Sequence, residues 1–288
     1  MGTDGVGALM GALRVGSFLV EGWVLVVLGK LARDAVALAR VYRVNEIIGL
    51  KDNAAAAIDL CGFLGGLVLG LLGSVVVASD DWLSQASDIA VSGLVVIATM
   101  LAADFVADLA VFRRIDDHVE LFERRNIALA LGRAGASLGT GFVIRGALGH
   151  VDTPLVVGLA WVAVGQVAMV LMALVYQWLT PYDDLEQIRS GNVAAALPIA
   201  GILVAVGLTV EAAVYGATTS WLDDLRAVAV YLVLSAVLVW VLRWVTNRFL
   251  LPGTRLADEI ERDRNAGAGL IEGTSFVIGA LLVSYFLS

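Results

Sequence analysis

The apolar residues of this 288-residue chain gather in eight long runs, at 15–39, 54–78, 88–112, 127–148, 154–179, 193–216, 225–247 and 266–287. Each has roughly the 20 residues that an α-helix needs to cross a hydrocarbon core about 30 Å thick. Lipid offers the backbone no hydrogen-bond partners, so runs of this length must satisfy their own N–H and C=O groups as helices. Apolar residues make up 59% of the chain and charged ones 16%, against about 25% charged in ordinary globular domains. The fold expected is therefore an all-α integral membrane protein with eight transmembrane helices.

Arg14 precedes the first run, but Glu21 interrupts it and no small-residue cleavage site stands before Lys30. The first run is thus read as a helix and not as a removed signal. The single cysteine, Cys61, lies inside the second run, which leaves no intrachain disulfide and no cysteine metal cluster. A net charge of −8 argues against a nucleic-acid partner. Basic residues fall unevenly: the connections after odd-numbered runs hold Arg40, Arg43, Lys51, Arg113, Arg114, Arg124, Arg125 and six more, whereas the other side holds Arg14, Arg145 and Arg226. The positive-inside rule then puts the basic side in the cytoplasm of a plasma (inner) membrane, with both termini outside.

Entry into the even-numbered runs follows one pattern: "NEIIGLKDNAAAAIDLCGFLGG", "VELFERRNIALALGRAGASLG", "LEQIRSGNVAAALPIAGILVAVG" and "DEIERDRNAGAGLIEGTSFVIG". An acidic residue leads by six or seven positions to Asn53, Asn126, Asn192 or Asn265, and small residues open the helix behind it. Nine residues after the first three asparagines stand Gly62, Gly135 and Gly201; in the fourth copy the glycine is Gly273, one place early. The unit is a helix pair used four times, and the chain divides into two four-helix repeats, 1–150 and 151–288. A unit of two crossings points every copy the same way, so the repeats are parallel about an axis along the membrane normal. Two similar bundles side by side are expected.

The pattern E-x-I-x-x-x-N-x-A-x-x before a glycine-spaced helix, and "NAGAGLIEGT" opening the last one, resemble the YjfL-like inner-membrane proteins. These are small four-helix membrane proteins, or tandem copies of a four-helix domain of unknown function. The resemblance covers about 40–150 and 180–288, each with its preceding helix. It implies the fold and brings no established reaction.

Asparagine favours helix N-caps, where its side chain accepts from backbone N–H groups that have no partner within the helix. The four asparagines are read first as caps. Glycines four apart, such as Gly62 and Gly66, Gly135 and Gly139, and Gly269 and Gly273, let membrane helices approach closely. The even helices should therefore make the tight inner contacts. Sparse apolar residues on charged segments, Ile115, Val119 and Phe122 or Leu256 and Ile260, fit short helices on the membrane surface, with lipid headgroups beside Arg124, Arg125, Arg262 and Arg264.

Asp59, Arg133 and Glu272 lie six, seven and seven residues past their asparagines, about 10 Å into the membrane at 1.5 Å per residue. A charge there costs at least ~2.5–3.5 kcal/mol unless it is paired, hydrated or neutralised. The third copy has Pro198 and Ile199 at this level. The odd helices add Lys30 and Asp34, Asp104 and Asp108, and Arg243 and Asn247, each pair four apart and so on one face. The structural expectation is a salt-bridge layer, Arg133 with Asp59 or Glu272 and Lys30 or Arg243 with Asp104. The functional expectation is a path for a small cation or protons lined by these acids. Glu21 and Glu211 fall near the outer ends, in water.

Enzyme chemistry finds little support. His118 and His150 fall in opposite loops, and the Asp-Asp pairs at 80–81, 116–117, 183–184 and 223–224 are split between the two sides. No catalytic set, metal site or cofactor site is expected, and neither Lys30 nor Lys51 stands where a retinal Schiff base would require a late-helix lysine. Two functions remain: a channel or transporter for a small cation or protons, or a non-transporting scaffold in an envelope-stress or membrane-remodelling system. The bilayer is the partner common to both; a homodimer through unused apolar or glycine faces is compatible with either.

Overall fold

The computed structural model describes residues 3–74, 81–150, 153–215 and 220–287. The expected ends of the second and sixth runs, at 75–78 and 216, and Asp80 of the first Asp-Asp pair lie outside the described residues. Among the described residues eight helices are long and apolar enough to span a membrane: α1 (Thr3–Ala39), α3 (Ala54–Ser74), α4 (Trp82–Val106), α5 (Ile127–Leu148), α6 (Leu155–Leu179), α8 (Val193–Val214), α9 (Trp221–Val245) and α11 (Ala266–Leu287). Three one-turn helices, α2 (Val44–Gly49), α7 (Asp184–Arg189) and α10 (Leu256–Glu261), precede α3, α8 and α11, and a π turn at Val119–Glu123 takes the same place before α5. Two further π turns, Ala107–Val111 and Thr246–Leu250, finish α4 and α9.

Each short segment turns into its spanning helix through one left-handed residue placed directly before the asparagine. The φ values are 48° at Asp52, 55° at Arg125, 80° at Gly191 and 49° at Arg264. The asparagine carbonyl then caps the helix, accepting from Ala56 N at 3.1 Å, Leu129 N at 3.1 Å, Ala194 N at 3.0 Å and Gly267 N at 3.0 Å. Its amide does a second task. Asn53 donates to Leu121 O (2.8 Å), Asn126 to Ile188 O (2.9 Å) and Asn192 to Ile260 O (2.7 Å), each within the next unit's short segment. Asn265 stands in the fourth unit, and its amide turns back to Glu259 of its own segment at 2.9 Å.

The even-numbered spans do not form two bundles. They stand in one row, α3–α5–α8–α11, and the contact between the halves, α5 with α8, repeats the contact within the first half, α3 with α5. A Cβ on Gly62 would lie 2.3 Å from Ala134 Cα, one on Gly135 2.5 Å from Ala200 Cα, and one on Gly201 2.4 Å from Gly273 O. In each contact the ninth residue after one asparagine meets the eighth after the next, so a single register is used three times. Such backbone approach is what small residues permit between helices that have no hydrophobic drive to associate in lipid.

Gly273 is therefore not a displaced copy of Gly62. It is the receiving position, matching Ala134 and Ala200, and the true counterpart of Gly62 in α11 is Thr274. Likewise Ile278 replaces the small residues Gly66, Gly139 and Ala205. Thr274 and Ile278 are exposed. With bulk at both places the row ends at α11, as terminal repeats end other repeat arrays. The odd-numbered spans flank the row: α1 and α4 lie by α3, α4 and α6 by α5, and α9 by α8 and α11. One hydrophobic core, from Phe63 and Leu67 through Ile144 and Trp161 to Phe276, runs through both halves.

Candidate functional site

Asp59 and Arg133 meet where the row brings α3 against α5. Arg133 Nε donates to Asp59 Oδ1 at 2.9 Å, and both side chains are buried. The second oxygen accepts from Arg33 Nη2 on α1 at 2.9 Å. Arg33 also donates from Nε to Asp104 Oδ2 on α4 at 3.1 Å, and its guanidinium lies 4.6 Å from the Phe63 ring centre. Arg133 reaches Asp108 directly and stands 3.7 Å from both Asp104 and Asp117. Ser137, one turn further along α5, donates to Asp104 Oδ1 at 3.2 Å. Two guanidiniums thus hold four carboxylates between the helices, where an unpaired charge would cost several kcal/mol.

Lys30 does not reach Asp104. It pairs with Asp34 on its own helix at 2.5 Å and donates to Asn45 at 2.7 Å. Arg33 takes the role expected of Lys30; three residues further on, its side chain stands only about 60° around the helix from Lys30 but about 4.5 Å along the axis, at the level of Asp59 and Asp104. Sequence reasoning missed Arg33; the signal was a second cation within the apolar run, directly before Asp34.

Glu272 and Arg133 stand apart because α8 lies between α5 and α11. Glu272 is fully buried and pairs with Arg243 of α9, while Tyr176 of α6 donates to its other oxygen at 3.2 Å. Arg243 reaches the Tyr176 hydroxyl at 3.1 Å. The halves match residue for residue at a separation of 139, since Asn53 corresponds to Asn192 and Asn126 to Asn265. Asp104 then corresponds to Arg243 and Arg133 to Glu272. The second half carries the first half's ion pair with its charges exchanged, which removes Arg243 from Asp104. The third level, Pro198, corresponds to Asp59; without that acid the second cluster needs no equivalent of Arg33, whose place is held by Met172.

A cavity of about 90 Å³ lies against the first cluster, lined by Arg33, Asp59, Asp104, Asp108, Asp117, His118 and Arg133 among others. That is room for several waters. His118, which also lines it, has Nε2 3.3 Å from Asp117 Oδ2, and the imidazole stacks on Tyr42 with ring centres 5.6 Å apart. Burial pushes the Asp117 carboxyl up and the His118 imidazole down, so both neutral forms gain ground. In the second half Asp184 is buried beside Thr180, whose hydroxyl donates to it, and burial pushes its carboxyl up to about 7.

Towards the other side, Thr140 continues the α5 face of Arg133 and Ser137 and accepts from Gln166 Nε2 at 3.2 Å. Val143 and Ile144, both 0% exposed, close that face. Beyond them Arg145 pairs with Glu211 across the α5–α8 contact, so Glu211 is bridged and not merely wetted. An open groove of about 920 Å³ reaches this pair.

Eight apolar helices in tandem units, with ion pairs sealed between them, define a multi-pass integral membrane protein. The chain belongs to the family described as Domain of Unknown Function (DUF350), whose model matches it twice, over residues 7–148 and 151–287. It is also similar to a UPF0719 transmembrane protein of Aquifex aeolicus (strain VF5), 23% identical over 261 residues, which is 89% of this chain and 94% of that one. No solved structure matches it.

Proposed function

We propose that the protein passes protons across the membrane and that the cavity at Asp59 is their entrance from the basic-loop side. The observation that carries this reading is the cavity itself, a space for several waters touching carboxylates about 10 Å into the membrane. From it Ser137 and Thr140 extend a polar face along α5, to about 21 Å from Asn126. The proton suits this site better than a metal cation, because Arg33 and Arg133 repel a bare cation while waters and carboxylates relay protons by exchanging hydrogen bonds. Val143 and Ile144 form the closed section, and Arg145 with Glu211 its far side. In this reading the protein is no enzyme and needs no cofactor. It sits in the plasma membrane as a YjfL-like member of its family, with the basic loops in the cytoplasm and both termini outside.

The test is purified protein in liposomes holding a pH-sensitive dye, with a potassium-driven potential of either sign. Proton entry faster than in empty liposomes is expected, slowed by Ser137→Ala and Thr140→Val without loss of folding. Rates equal to empty liposomes at both polarities overturn the reading. The complete pairing of Asp59 and Glu272 favours the second reading, a scaffold without transport, and that null result would leave it standing.

A further inference from the structure

The cavity of the first half has a counterpart 139 residues on. Leu101, Asp104, Phe105 and Asp108 line the first; Trp240, Arg243, Trp244 and Asn247 line a groove of about 450 Å³ in the second, joined by Arg255. Acids have given way to cations and an amide, and among the described residues no carboxylate lines the second groove. Arg243 is neutralised from below by Glu272. Arg255 is exposed and its side chain makes no hydrogen bond or ion pair among the described residues. Asn247 spends its oxygen on Leu256 N at 2.9 Å, and its amide hydrogens point to no described partner.

We propose that this groove binds the phosphate headgroup of an anionic phospholipid in the leaflet on the α10 side. Arg255 supplies the charge, Arg243 and Asn247 supply donors, and the acyl chains run along α9. The lipid, and not a dissolved phosphate, is argued from α9 itself. Val230, Val233, Val237, Trp240 and Trp244 recur at helical spacing, and all are exposed, Trp240 at 60% and Trp244 at 54%. That stripe ends in two indoles at the level of the arginines, the arrangement that places aromatic rings at a headgroup boundary. Basic pockets between spans at this depth suit anionic headgroups.

Native mass spectrometry of the full chain, in micelles doped with equal amounts of phosphatidylglycerol and phosphatidylcholine, tests this. Retention of phosphatidylglycerol over phosphatidylcholine is expected. Arg255→Gln should weaken that retention about fivefold, the effect of one arginine near an anionic surface, with an unchanged melting temperature. Trp240→Ala with Trp244→Ala should weaken both lipids. Arg226→Gln, on the opposite side, should change nothing. Equal retention of the two lipids, or equal losses for Arg255→Gln and Arg226→Gln, overturns the proposal. Displacement of phosphatidylglycerol by millimolar inorganic phosphate assigns the groove to a free anion and overturns it as well.

Discussion

Replacing Asp184 by asparagine should stabilise the protein at alkaline pH and leave it little changed at pH 4. Asp184 is 1% exposed, one of its oxygens has no hydrogen-bond partner, and the other accepts from Thr180. Burial therefore raises its carboxyl from the ordinary 3.8 to about 7. A pKa raised in the folded state means that the folded protein holds its proton more tightly than the unfolded chain. The stability this contributes is complete below pH 3.8 and is lost as pH rises through about 7. At 1.36 kcal/mol per pH unit the loss comes to a little over 4 kcal/mol, most of it between pH 4 and 7. Asparagine keeps the acceptor for Thr180 and does not ionise; the matching residue of the first half is already Asn45. Melting curves of both proteins in one detergent, from pH 4 to 8, should coincide at the acid end. They should part by on the order of 5–10 °C in favour of the variant at pH 8. A variant less stable at every pH, or a wild-type curve flat from pH 4 to 7, would refute the buried, proton-holding carboxyl.

Three further outcomes follow from the geometry. Gly139→Ala should destabilise by several kcal/mol, because its Cβ would meet Leu203 O at 2.3 Å, whereas Gly22→Ala, with nothing within 4 Å, should be neutral or gain up to ~1 kcal/mol of helix propensity; equal melting temperatures for the two would count against the close-packed row. Glu272→Gln should cost about 3–5 kcal/mol by stranding Arg243, and exchange of the charges at 243 and 272 should recover part of it, as the same exchange at 133 and 272 should not; recovery by the second exchange in the same melting assay would place α5 beside α11. Arg125→Gly should raise the melting temperature slightly, by relieving a left-handed residue worth roughly 1 kcal/mol, and a lower melting temperature would show that the turn before Asn126 is held by the arginine itself.

The asparagine caps and the eight spans are legible in the chain because both are local matters. A helix start needs an acceptor at one position, and a span needs about 20 apolar residues, whatever stands beside it. The repeat is legible for the same reason, and its register of 139 residues already pairs Asp104 with Arg243 and Arg133 with Glu272 as equivalent positions. Their partners are another matter. Asp59, Arg133 and Glu272 share one depth, and depth alone allows any of them to meet. Which do so depends on which helices are neighbours, and that was decided by glycine faces closing α3 on α5, α5 on α8 and α8 on α11. One residue of register turns a side chain about 100° around its helix, so Gly273 serves the face of α11 that receives α8, while Thr274 at the next position leaves the onward face without its glycine. Sequence determined that four helices of this kind exist and where each begins. Only the packing decided that they stand in a row, that α8 parts Arg133 from Glu272, and that Arg33, three residues past Lys30, joins Arg133 on Asp59.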